Sequence, residues 1–246
     1  MRVRGCKIFC LLTWSFALFK ESFALVICLH TPFPLIFYHV PKAGGTSVSA
    51  LLKDFGCTIF SGILGRAPAH EDRIDLMHLT PAEISKRKAS LPRLRQKLSQ
   101  HSKWTQIAMV RNPYNRVPPA FSQRMIRDYD RIWGRNHPHD FVSYLRWLQE
   151  SLQRGNISWS DPSVTHFRPA HHFTHDDTGL RIVDKILHFE NATSQLHQIL
   201  KPDVQLPHVH GGFVKSAKSN PVHTEETRRI VRALYSRDFA LFDYPQ

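Results

Sequence analysis

Along the chain, short unbroken apolar runs alternate with segments whose apolar residues recur every three or four positions. The run PLIFYHV (34–40) is apolar, aromatic and β-branched, which predicts a buried strand. From Thr46 to Asp54, Val48, Leu51 and Leu52 line up with Phe55 on one side, predicting a helix. HLTPAEI holds a helix start: Thr80 as N-cap, Pro81 in the first helical position and Glu83 completing a capping box. A basic helical stretch follows to about Gln100. TQIAMV (105–110) predicts a second buried strand, ending at Arg111, and FVSYLRWLQESLQ (141–153) a helix. RIVDKILHF (181–189) reads as a third strand, ATSQLHQIL as the helix after it, and TEETRRIVRALYSRDFALF as a closing helix. Strands alternating with helices predict an α/β fold, one domain with a central parallel sheet flanked by helices. Ligands in such folds sit at the carboxyl ends of the strands. Lys42 and Arg111 each follow a predicted strand end, so the pattern brings the two together.

The N-terminal residues read differently. Arg2, Arg4 and Lys7 precede the apolar run IFCLLTWSFALF, and Ser22 and Ala24 occupy cleavage-type positions in SFA. That is signal-peptide anatomy, or, read on through ESFALVICL, a signal anchor. A divergent or mis-started N-terminus is a third reading, because a strand from about Leu35 leaves almost no stem after an anchor. The expected division is therefore 1–33 as targeting segment and 34–246 as the domain. Cys6, Cys10 and Cys28 fall in the first part and Cys57 alone in the second, so no disulfide is expected inside the domain. That weighs against a lumenal protein. The sequons NIS at Asn156 and NAT at Asn191 weigh for one.

Charge narrows the partners. The formal net charge is +13, with 16 histidines uncounted, and no Asp or Glu lies between Ile84 and Arg127. This balance favours anionic partners: a nucleotide, an acidic polymer or an acidic membrane surface. Nucleic-acid binding would rest on charge alone, since no reader motif or aromatic interleaving accompanies it.

The stretch FYHVPKAGGTSVSALL carries the chemistry. Gly44 and Gly45 allow close backbone approach to an anion. The amides from about Ala43 to Ser47 then face one spot at the positive end of a helix, with Thr46 and Ser47 adding hydroxyls and Lys42 a mobile charge. The lysine precedes the glycines, and no magnesium-ligating acid follows the second strand, which counts against a P-loop kinase. An arginine at a strand terminus, as Arg111 is in MVRNPYNRVPPAFSQR, suits bidentate capture of a phosphate.

PKAGGTS resembles the 5′-phosphosulfate loop of the sulfotransferases, and RNPYNRVPPAF resembles their 3′-phosphate segment. The closer resemblance is to the carbohydrate group that includes the heparan and chondroitin enzymes. It extends through HLTPAEI, VDKILHFENATSQL and YSRDFALFDY. It implies a P-loop-like domain and, as co-substrate, 3′-phosphoadenosine-5′-phosphosulfate (PAPS), with no metal. Lys42, Ala43, Gly44, Gly45, Thr46 and Ser47 would hold its 5′ side, and Arg111 the 3′-phosphate. Lys42 would also be catalytic, reaching the bridging oxygen where charge grows as the sulfuryl group leaves. The acceptor implied is an acidic or neutral glycan, in the secretory pathway at the Golgi membrane, with association through the N-terminus; a cytoplasmic enzyme is the alternative. One position departs from the family pattern. Pro119 stands where a serine usually donates to the 3′-phosphate, which keeps a catalytically degenerate nucleotide- or glycan-binding relative as the alternative function. Pro118 and Pro119 also predict that the helix carrying Arg116 toward the nucleotide starts late or is kinked.

A hydroxyl acceptor needs a general base, and histidine titrates in the right range. His78, just before the N-cap Thr80, is the candidate. HFRPAHHFTHDD (166–177) gathers four histidines, with spacing that matches no zinc pattern, and the family resemblance implies a substrate-side loop there. Arg124, Arg127 and Arg131 share one helix face and could grip a polyanion. Glu190 reads as structural or helix-capping.

Overall fold

A computed structural model describes residues 25–29, 31–60, 63–64, 74–75, 78–127, 137–200, 207 and 221–246. Among these, five strands form the central sheet: β1 (Leu25–Cys28), β2 (Leu35–Tyr38), β3 (Thr58–Phe60), β6 (Thr105–Val110) and β7 (Lys185–His188). Two-residue strands β4 (Ile63–Leu64) and β5 (Ile74–Asp75) pair separately. The sheet order is β3-β1-β2-β6-β7. β2, β6 and β7 run parallel, with Phe37 beside Ile107 and Ala108 beside Ile186. Burial on both faces is why β2 reads as a continuous apolar run.

The sheet is not wholly parallel: β1 runs antiparallel to both β2 and β3. The sequence alone assigns residues 25–28 to the N-terminal segment; they form a fully buried strand inside the sheet instead. The expectation of an unpaired Cys57 falls with it. Val26 and Ile27 pair with Ile59 and Thr58, which sets the ends of β1 and β3 side by side, and Cys28 is disulfide-bonded to Cys57. Closing a loop of that separation, 29 residues, contributes about 3–4 kcal/mol in the chain-entropy account. Of the targeting segment expected over 1–33, residues 1–24 lie outside the described residues. Among the described residues no helix is long and apolar enough to cross a membrane.

Strand alternation sends side chains to two apolar layers. Leu25, Ile36, Tyr38, Ala108 and Val110 pack with Ile84 of α2 (Pro81–Arg87) and Leu94 of α3 (Pro92–Leu98). Val26, Phe37, Ile107 and Met109 pack with Leu51 and Leu52 of α1 (Gly45–Asp54) and Leu196 of α6 (Ala192–Ile199). A third cluster joins α4 (Pro113–Arg127), α5 (Phe141–Gln153), α7 (Glu225–Leu234) and α8 (Ser236–Leu241).

Three local differences from the sequence reading have simple causes. The basic stretch after Thr80 breaks between α2 and α3 because Leu91, which precedes Pro92, is held at φ −117°, ψ 79°, outside the helical region. The strand expected from residue 181 starts at Lys185, since the backbone before it turns to pair Arg181 with His175. The helix α4 neither starts late nor waits for its prolines: it runs from Pro113 with Pro118 and Pro119 inside it. Pro118 has no N–H to offer the Tyr114 carbonyl one turn back, and that carbonyl accepts from His223 Nε2 at 2.9 Å instead.

Candidate active site

The loop after β2 is shaped by two left-handed residues, Lys42 at φ 61° and Gly44 at φ 81°. The Ala43 amide bonds to the Val40 carbonyl (3.3 Å) and the Ser47 amide to that of Gly44 (3.1 Å). The expected cradle from Ala43 to Ser47 therefore narrows to three consecutive amides, those of Gly44, Gly45 and Thr46, which make no hydrogen bond among the described residues. They open at the N-terminus of α1, whose first turn carries no acidic residue. Thr46 and Ser47 are half-buried beside them, and Ala43 is buried. Both glycines are dictated by neighbours. A Cβ at Gly44 would lie 2.5 Å from the Phe189 ring, and one at Gly45 would lie 2.6 Å from the His39 ring.

The strand ends converge as the pattern predicted. Arg111, just past β6, donates from Nη1 to the Lys42 carbonyl (3.3 Å) and stacks on Phe189, 4.4 Å from its centroid. Its Nε is buried without a hydrogen-bond partner. Burial pulls this guanidinium below the usual arginine range; Glu190 opposes the shift and Arg116 adds to it. Glu190 accepts from the Asn112 amide (3.2 Å) and the Tyr244 hydroxyl (3.1 Å), so it ties the segment after β6 to the C-terminus. The Lys42 ammonium donates to Gln123 Oε1 of α4.

Two arginines depart from their expected roles. Arg116 is wholly buried and donates to the Pro41 carbonyl (3.4 Å), with Asp238 at 3.9 Å and the Tyr235 ring beneath its guanidinium at 5.2 Å. It braces the loop from behind and does not reach out to a ligand. Asp238 also accepts from the Ala170 and His171 amides and from His171 Nδ1 (2.7, 2.9 and 2.7 Å). Arg124 is buried against Tyr144, bonded to the Ser163 carbonyl and to His137, so it does not form a solvent-facing grip with Arg127 and Arg131. The Arg127 side chain and Arg131 lie outside the described residues.

His78 is buried at 4% exposure. Its ring meets His39 edge-on at 5.2 Å between centroids and His166 edge-on at 5.0 Å. The capping box fixes the loop: the Thr80 amide donates to Glu83 Oε2 (2.9 Å) and the Glu83 amide to Thr80 Oγ1 (3.2 Å). Glu83 also pairs with Arg168 (2.8 Å), which locks the His166 segment to the His78 loop. The other histidines of the cluster turn elsewhere: His171 to Asp238 and His175 to Thr174. Among the described residues no group of three or more His, Cys, Asp or Glu could hold a metal ion. His39, Gln123 and Phe189 were not singled out by sequence reasoning. For His39 a signal existed, its place directly after β2 and three residues before Lys42.

Searches among curated proteins and among solved structures return no match. A model of the sulfotransferase family matches residues 29–245, which takes in the loop after β2, the segment after β6 and the closing helices. The chain belongs to the sulfotransferase family.

Proposed function

We propose that this protein transfers the sulfuryl group of PAPS to a hydroxyl of a carbohydrate acceptor. One observation carries the reading: Arg111 donates to the carbonyl of Lys42, so a second cation sits against a loop with three open amides. The donor has anionic groups at both its 5′ and 3′ positions, and the residues fit it. Gly44, Gly45 and Thr46 supply backbone donors for the 5′ side. The buried Arg111 Nε, without a partner, supplies one for the 3′-phosphate. Lys42 stabilises the negative charge that grows on the bridging oxygen as the sulfur–oxygen bond breaks. His78 takes the proton of the attacking hydroxyl.

An acidic acceptor is supported by the surface next to the His78 loop. Lys86 and Arg87 on α2, Arg93 and Arg95 on α3, and Lys103 beyond it are exposed, and none of them pairs with an acid among the described residues. A secretory-pathway location is supported by the Cys28–Cys57 disulfide, which persists in oxidising compartments. Exposure of both sequon asparagines, Asn156 and Asn191, supports it too. Membrane association would come from the N-terminal residues. The second reading, a nucleotide-binding relative without turnover, rests on Pro119, half-buried on α4 and unable to donate a hydrogen bond.

Thermal denaturation with 3′-phosphoadenosine-5′-phosphate, adenosine diphosphate and RNA tests the nucleotide site. The 3′-phosphorylated product should stabilise the protein at concentrations where the other two do not. Equal stabilisation by adenosine diphosphate would favour a general nucleotide binder.

A further inference from the structure

Sulfuryl transfer to a hydroxyl releases a proton, and the candidate base that receives it is buried. The acceptor O–H bond breaks as its oxygen bonds to sulfur. The bond from sulfur to the bridging oxygen breaks with its electron pair staying on phosphate. One proton per turnover is left on His78. With 4% exposure, that imidazole needs a route to solvent before it can act again.

Of the two histidine rings that touch it among the described residues, one is the more exposed. His39 is buried at 5% and lies against Gly45 of the anion loop, so it faces inward. His166 is half-buried and packs edge-on against His78 at 5.0 Å. His39 and His78 are thus both almost wholly buried, and exposure rises only at His166. The contact between the last two is held by the Glu83–Arg168 pair and by Arg168 Nε bonding to the Trp159 carbonyl (2.5 Å). These interactions fix a ring-to-ring contact between segments far apart in sequence, and packing alone would not require two imidazoles there.

We infer that His166 orients His78 and carries its proton to solvent, while His39 sets the inner end of the stack against the loop. The inference rests on the proposed reading of His78 as the base. His166 acts through His78 and is a positioning residue with a proton-carrying role.

The test compares wild type, His166→Ala and His166→Phe in sulfate transfer from PAPS to a glycan acceptor, with and without added imidazole. Both variants should lose about tenfold or more in kcat, a fraction of what a general base supplies, with KM for PAPS and the melting shift by 3′-phosphoadenosine-5′-phosphate unchanged. Imidazole should restore His166→Ala, which leaves room for it, and not His166→Phe, which keeps a ring but carries no proton. Variants that transfer within twofold of wild type overturn the inference, and so does a loss in His166→Ala that imidazole leaves unrestored. A wild type that binds the nucleotide yet transfers no sulfate overturns the parent reading, and this one with it.

Discussion

The imidazole of His39 occupies the space that a side chain at Gly45 would need: a Cβ there would lie 2.6–2.8 Å from three ring atoms. The second glycine of the loop is thus set by a histidine that also touches His78. Gly45→Ala should displace His39 and cost about 1–3 kcal/mol by overpacking. It should slow transfer more than it weakens nucleotide binding. Urea denaturation and steady-state kinetics check this. A variant as stable and as active as wild type would show that the His39 contact is unimportant.

Arg111 is expected to read the 3′-phosphate. Arg111→Ala should erase the preference for 3′-phosphorylated nucleotide over its 5′-only analogue in calorimetric titration. It should also loosen the loop slightly, since the bond to the Lys42 carbonyl and the stack on Phe189 go with it. Discrimination equal to wild type would remove Arg111 from the nucleotide site.

Pro119 lies four residues before Gln123 on α4, on the face that meets Lys42. A serine there restores a hydroxyl and an amide in the helix. Pro119→Ser should strengthen binding of 3′-phosphoadenosine-5′-phosphate by about tenfold or more, the worth of one charge-assisted hydrogen bond. It should also raise the melting temperature. Unchanged affinity in this variant, with a loss in Ser122→Ala, would mean that Ser122 already serves as the donor.

The His172 imidazole is pushed down to about 4 from its ordinary 6.5, first by burial and then by neighbouring His171 and Arg168. The unfolded chain therefore takes up this proton before the folded one does. The stability involved is complete above pH 6.5 and is lost as pH falls from there toward 4. Urea midpoints at pH 7.5 and pH 5 should show that decline, and His172→Gln should flatten it. An unchanged slope would place the acid sensitivity elsewhere.

Much of this site was legible because its parts are local. LIFY followed by a lysine and two glycines defines a strand, a tight turn and a helix start within a few residues, and Thr80 and Glu83 form the capping box that their spacing implies, with Pro81 first in the helix. What failed to read was long-range. Arg116 meets Asp238, over a hundred residues on, and Arg124 meets Ser163 and His137. Periodicity tells which side of a helix an arginine occupies, not whether protein or water lies there. The disulfide was hidden for the same reason. Cys28 and Cys57 become neighbours only because β1 enters the sheet beside β3, and an apolar run after a basic N-terminus reads equally well as a targeting segment.

Sulfuryl transfer is tested most directly at Lys42. Radiolabelled sulfate supplied as PAPS should appear on at least one member of a panel of desulfated glycans with the wild-type protein. Lys42→Ala should lower turnover by about a hundredfold or more, as for a lost transition-state donor, while binding of 3′-phosphoadenosine-5′-phosphate falls far less. No label on any glycan, from a protein that the same nucleotide stabilises against heat, would contradict the enzyme reading and leave a binding protein in its place.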